Sequence, residues 1–255
     1  MAAPPRLITH VAGAGVVDTT YPGDLRSSYH VDGHPRISIV LQGTLREEAH
    51  RQEVVASAAS VVVKPADVVH RNAFGPRGAR LLTLLVPPEH VADVEGLDQW
   101  AWHHAGPVGG AALRLARSIR REPEDAEDEF WSFLATIGPS TDPPTRAVPD
   151  WLRRTRERLD DEVADGPSVE SLAQDAGVHP VSLARAFRRA FGCSPTAYRR
   201  RRRVRAAADL LASSRRPAAE IALAAGFADQ SHMCRAVRDD LGLTPGQLRR
   251  LPTEV

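Results

Sequence analysis

Cysteine is nearly missing from this sequence: Cys193 and Cys234 are the only two in 255 residues. A pair so far along the chain and without metal-ligand spacing excludes a disulfide framework and makes a reducing cytoplasm the expected setting. Long apolar runs are missing too. The start, Met1-Ala-Ala-Pro-Pro-Arg, leads into no signal-peptide core, and nothing approaches the ~20 apolar residues of a membrane span. A soluble, unexported chain without a membrane partner is expected. No Ser/His/Asp arrangement, phosphate-binding glycine loop or pair of catalytic carboxylates stands out, so no turnover and no cofactor are expected.

Net charge is also close to absent, with 33 Lys+Arg against 32 Asp+Glu. The charges are unevenly placed, however. Residues 1–139 carry 13 basic and 17 acidic side chains, and residues 140–255 carry 20 basic and 15 acidic. An acidic front and a basic back suggest that only the second part meets a polyanion. At this length two domains are the prior.

What is present in the front part is β-rich. Ile37 to Leu41, Ser60 to Val63 and Leu81 to Val86 are short apolar runs, punctuated by Gly43, Pro65-Ala-Asp67 and Gly75-Pro-Arg-Gly78. These are the signals of a small sandwich or barrel. From about Gly110 the spacing turns helical, with a break near Pro123. A second helix then places Phe130, Trp131, Phe133, Leu134 and Ile137 on one face, which covers the sheet or pairs with a second copy of the chain. Residues 138–149, with three prolines besides Pro149, read as a linker. The expected division is therefore a front domain, 1–139, a linker, 140–149, and a back domain, 150–255.

The back part repeats itself. Leu172, Ala173, Ala176, Gly177 and Val178 recur 49 residues later as Ile221, Ala222, Ala225, Gly226 and Phe227. Leu183, Arg185, Phe187, Arg188, Phe191, Gly192, Ser194 and Pro195 recur 50 later as Met233, Arg235, Val237, Arg238, Leu241, Gly242, Thr244 and Pro245. Each copy reads as a short helix, a glycine-opened turn and a second helix, the helix-turn-helix pattern. Leu183-Phe187-Phe191 and Met233-Val237-Leu241 would face inward, leaving arginines outside. Between the copies, a helix from about Pro195 to Ser213 would span ~27 Å, comparable to the ~34 Å between successive major-groove openings on one side of a duplex.

These motifs, Leu172-Ala-Gln-Asp-Ala-Gly-Val, Arg203-Val-Arg-Ala-Ala-Ala-Asp-Leu-Leu211 and Ile221-Ala-Leu-Ala-Ala-Gly-Phe-Ala-Asp-Gln-Ser-His-Met-Cys-Arg235, strongly resemble AraC/XylS-type regulators over roughly residues 150–250. The resemblance implies a sequence-specific DNA-binding transcriptional regulator that reads double-stranded DNA from the second helix of each unit. The reading positions would be His179, Val181, Ser182 and Arg185 in the first unit and Gln230, Ser231, His232 and Arg235 in the second. Arg188, Arg238 and some of Arg199 to Arg203, notably Arg199 and Arg203, would hold phosphates. RNA polymerase stands as a further candidate partner. The same domain also occurs beside a DNA-repair methyl acceptor, but residues 1–170 lack the cysteines that function needs.

The front part resembles a degenerate cupin, giving an overall α+β class: a cupin-like β-barrel with trailing helices, then an all-α tandem helix-turn-helix domain. Cupin metal sites use a His-x-His pair, a following glutamate and a distant histidine. Here His30 meets the first position, Asp32 takes the second, Arg36 stands where the glutamate belongs, and His70 fits the distant one. For His30, Asp32, His34 and His70 three readings stay open: an effector pocket for a small molecule, structural histidines, or a metal centre, with a metal-dependent enzyme as the second functional class. The effector pocket is the reading adopted here, with no metal.

Overall fold

The computed structural model describes residues 6–49, 52–91, 96–137, 148–164, 166–191 and 193–251. Its front part is an antiparallel sheet of β1 (Arg6–Val11), β2 (Ala14–Tyr21), β3 (Arg36–Ala49), β4 (Gln52–Ala56), β5 (Ser60–Lys64), β6 (His70–Leu85) and β7 (Ala101–His104). The strand order is β1-β2-β6-β3-β5-β7, with β4 paired to the far end of β3. Successive side chains of a strand leave on opposite faces. In β3, Ile37, Ile39 and Leu41 accordingly enter one apolar core, while Val40 and Leu45 enter a second, with Val62, Phe74, Leu81 and Trp102.

The first core is closed by helices. After the short α1 (Pro88–Val91), α2 (Gly106–Arg121) presents Ala112, Leu115, Ala116 and Ile119, and α3 (Glu127–Leu134) follows a 3-10 turn at Pro123–Asp125. The expected break at Pro123 is therefore present. Phe130, Phe133, Leu134 and Ile137 are buried in this core, whereas Trp131 stays 40% exposed. Most of the aromatic face thus covers the sheet.

The back part is helical. It comprises α4 (Asp150–Asp161), α5 (Val169–Asp175), α6 (Pro180–Phe191), α7 (Pro195–Ser213), α8 (Ala218–Ala224), α9 (Gln230–Leu241) and α10 (Pro245–Arg250). Units α5–α6 and α8–α9 are the two expected copies, and α7 has the bounds read from the sequence. Side-chain caps define their starts: Ser168 accepts from Ser171 N–H, Ser194 from Ala197 N–H and Asp229 from His232 N–H. Gly177 and Gly226 both adopt positive φ where the first helix of each unit ends. Gly226 is also crowded: an added Cβ would lie 2.7 Å from Ala164 backbone atoms.

The apolar cores do not follow the linker. The core under α2 continues through Val204, Ala207 and Leu211 of α7 to Ile221, Met233, Val237 and Leu241 of the second unit. The first unit has a core of its own, Leu152, Leu159, Leu172, Leu183, Phe187 and Phe191. Of the linker, residues 138–147 lie outside the described residues, as does Gly192.

Candidate nucleic-acid interface

The inward stripe of each second helix decides what its other side can do. Leu183 and Phe187 in α6, and Met233, Val237 and Leu241 in α9, are fully or almost fully buried. With those positions fixed, helical spacing turns Val181, Ser182, Arg185 and Arg188 outward in the first unit, and Gln230, Ser231, His232, Arg235 and Arg238 outward in the second; all nine are exposed. Val181 keeps 51% of its surface in solvent.

His179 and Asp229 occupy matching places, one residue before each second helix. Val181 N–H donates to His179 Nδ1 (3.3 Å), as His232 N–H donates to Asp229 Oδ1 (2.7 Å). The His179 ring therefore caps α6 from its exposed position. His232 lies edge-on to Phe227 with ring centroids 5.2 Å apart, which orients the imidazole at the start of α9.

Arg199 and Arg203, expected to hold phosphates, make hydrogen bonds within the chain. Arg199 donates to the carbonyls of Gly166 and Pro167, and Arg203 to those of Val163 and Ala164. Both guanidinium groups tie α7 to the loop between α4 and α5, supplying donors to backbone carbonyls there. The sequence pattern could not separate them from outward arginines because they belong to a continuous run, Arg199 to Arg203. Arg189, which the sequence reading did not select, is exposed beside Arg188. Its signal was the same basic last turn of α6.

The front part brings together His30, Asp32 and His70, whose ligand atoms all lie within 4.8 Å of one another. His34 is exposed and falls outside this group. Residues 30 and 70 exchange backbone hydrogen bonds, and their rings lie 4.3 Å apart. Each Nδ1 donates to a carbonyl two residues back, His30 to Ser28 and His70 to Val68, both at 2.9 Å. A carbonyl can only accept, so in the neutral rings both Nε2 atoms are left as acceptors. His70 Nε2 lies 3.4 Å from Asp32 Oδ2. Burial, with help from the Lys64 charge, holds the His70 imidazole below its ordinary range.

Cations crowd this group. Arg36 pairs with Asp32 at 3.0 Å, and Lys64, the only lysine of the chain, pairs with Glu47 at 2.7 Å. Lys64 and Glu47 are 5% and 0% exposed, and Trp100 Nε1 also donates to Glu47. The sequence reading missed Lys64, Glu47 and Trp100. Register could have found Lys64, which lies directly opposite Arg36. The Asp32 carboxylate that a divalent metal would need is already engaged by Arg36. The arrangement instead offers two imidazole acceptors and a carboxylate to hydroxyl or amino groups of a polar molecule.

The helix-turn-helix domain family matches residues 172–251. Over 117 residues the chain is 29% identical to the arabinose operon regulatory protein of Salmonella typhimurium, covering 46% of this chain and 41% of that protein. It thus spans about two fifths of the length of that relative. Among solved structures, the C-terminal domain of AraT, a response regulator from Geobacillus stearothermophilus, is 30% identical, covering 41% of this chain and 87% of that one with a TM-score of 0.39. The DNA-binding domain of AdpA, a global transcriptional factor solved with a target DNA, is 27% identical, covering 39% and 90% with a TM-score of 0.38. Residues 172–251 thus carry a helix-turn-helix domain, and over this part the chain is similar to the arabinose operon regulatory protein.

Proposed function

We propose that this chain is a sequence-specific DNA-binding transcriptional regulator whose front domain responds to a small polar effector. The observation that carries the reading is the pair of exposed second helices, α6 and α9, one in each unit joined by the 19-residue α7. Arg185 and Arg235 suit guanine O6/N7, Gln230 suits adenine N6/N7, and Arg188 and Arg238 suit phosphates. The basic balance of residues 140–255 supports the same partner.

The front domain contributes effector recognition through His30, Asp32 and His70, with Arg36 and Lys64 as neighbouring cations. It performs no reaction in this reading, and the chain works in the cytoplasm; among the described residues no helix is long and apolar enough to cross a membrane. RNA polymerase and a second copy of the chain are candidate partners. The division at residues 140–149 is kept as a boundary in sequence, although the apolar core runs across it.

Selection of duplexes from a random DNA pool by the full chain, followed by footprinting, tests the reading. Two short motifs on one side of the duplex, separated by about one helical turn, are expected. A pool that converges on no motif, with binding set only by salt, would overturn it.

A further inference from the structure

Beside the shared apolar core, the two parts of the chain meet where side chains of the back part reach bare backbone of the front. Helix α2 begins at Gly106, and its preceding residue Ala105 provides no side-chain cap. The missing cap comes from the second reading helix: Gly106 N–H donates to Asp240 Oδ2 at 3.1 Å. A carboxylate at this place also meets the positive end of a 16-residue helix. Further along the same contact, an added Cβ at Gly110 would lie 2.8 Å from the Leu241 carbonyl oxygen, so α2 touches the last turn of α9 at backbone distance.

A second anchor lies on α7. The register of β3 against β6 shifts between Val40 and Gln42 and again between Gly43 and Leu45. These bulges turn the Gly43 amide out of the sheet, and it donates to Asp209 Oδ1 at 3.0 Å while Arg77 pairs with Oδ2 at 2.7 Å. Arg77 also reaches Ser213, and Arg205 donates to the Val55 carbonyl. All these anchors fall on the second half of α7 and the end of α9. The first unit meets the front domain differently, across a cavity of about 330 Å³ whose lining includes Val55, His104, Arg156 and Phe191.

We propose that Asp209 and Asp240 are positioning residues that lock the front domain and the second helix-turn-helix unit into one rigid body. The reading side chains of α9 stay exposed in the locked state, so the contact transmits position without masking DNA. A change in the front domain thereby reaches α9 directly, independently of the 140–149 linker.

Hydrogen exchange on the full chain tests this, first without DNA. In the wild type, the start of α2 and helix α9 exchange together and more slowly than α5 and α6. In Asp209→Ala/Asp240→Ala, exchange at the start of α2 and in α9 rises at least tenfold while α5 and α6 are unchanged. Unchanged exchange at both places, or an equal rise in the first unit, overturns the proposal. Should the double variant lack wild-type circular dichroism, Arg77→Ala, altered at an exposed side chain, carries the test through β3 and α7, where a rise is expected and its absence is refuting. A second arm rests on the DNA-binding reading and uses duplexes selected by the wild-type chain. Bound DNA slows exchange at the start of α2 in the wild type and not in the double variant, although the variant still binds. Slowing in both proteins refutes the coupling. Lack of DNA binding by the wild type refutes the DNA reading and leaves the first arm standing.

Discussion

Phe187 meets Tyr198 edge-on, with ring centroids 5.5 Å apart, and so joins the reading helix α6 to the connecting helix α7. Phe187 is fully buried in the small core of the first unit and also packs on Phe191 at 4.5 Å. Removing it would empty the centre of that core. Phe187→Ala is expected to cost ~3–5 kcal/mol, with the loss confined to the first unit because its core is separate. Limited proteolysis should show new cleavage in α5 and α6 before any in the sheet; cleavage spread evenly over the chain would contradict the separation.

Arg235 and Arg188 should fail in different ways. Arg235→Ala is expected to cost about 1–3 kcal/mol on the selected site and relax preference at one base pair. Arg188→Ala should weaken all sequences alike and lower the slope of log affinity against log salt by about 1. Binding isotherms on matched and single-mismatch duplexes at several salt concentrations separate the two. Equal, sequence-independent losses would remove the distinction between reading and holding.

Arg203 behaves as a structural residue in this fold. Its hydrogen bonds to Val163 and Ala164 carbonyls predict that Arg203→Ala destabilises the chain by about 1.5–3 kcal/mol, the range for hydrogen bonds to a charged group. The salt slope of DNA binding should stay at its wild-type value. Urea unfolding and salt titration check the pair of statements, and a lowered slope would return Arg203 to the phosphate-binding set.

Acid should weaken the fold through His103 and His104. Burial lowers the His103 imidazole, and burial, reinforced by the Arg205 and Arg202 charges, holds His104 well below the ordinary value of 6.5. The unfolded chain therefore binds protons first as pH falls through about 6.5, while the folded chain does not. Stability is fully present above that value and is lost below it, with a slope of up to ~1.4 kcal/mol per pH unit for each proton of difference. Urea unfolding at pH 7.5 and 5.5 measures it, and a smaller slope is expected for His103→Gln. Equal stability at the two pH values would contradict the neutral, buried state.

The repeat was legible because its information is local: glycine turns, buried stripes and caps all lie within one helical turn of the residues they govern. That is why α7 begins and ends where the sequence places it. The exposed faces of α6 and α9 follow from the same stripes. Arg199 and Arg203 were not separable from their neighbours, since a run of arginines does not say which guanidinium finds a carbonyl from another loop. The joining of the two parts was less legible still. Gly43 and Asp209 are 166 residues apart, Gly106 and Asp240 134, and the bulge that frees the Gly43 amide leaves no distinctive residue pattern. His34 was grouped with His30 on proximity in sequence, but the β-pairing selects residues 30 and 70.

That Lys64 is the sole lysine of the chain has a chemical consequence for α6 and α9. Because no other lysine exists in these 255 residues, every cation presented by α6 and α9 is a guanidinium or an imidazole. A guanidinium keeps its proton throughout the physiological range and has no amine to acylate. Lysine acetylation, which silences the charge of a lysine side chain, therefore finds no substrate on these two helices.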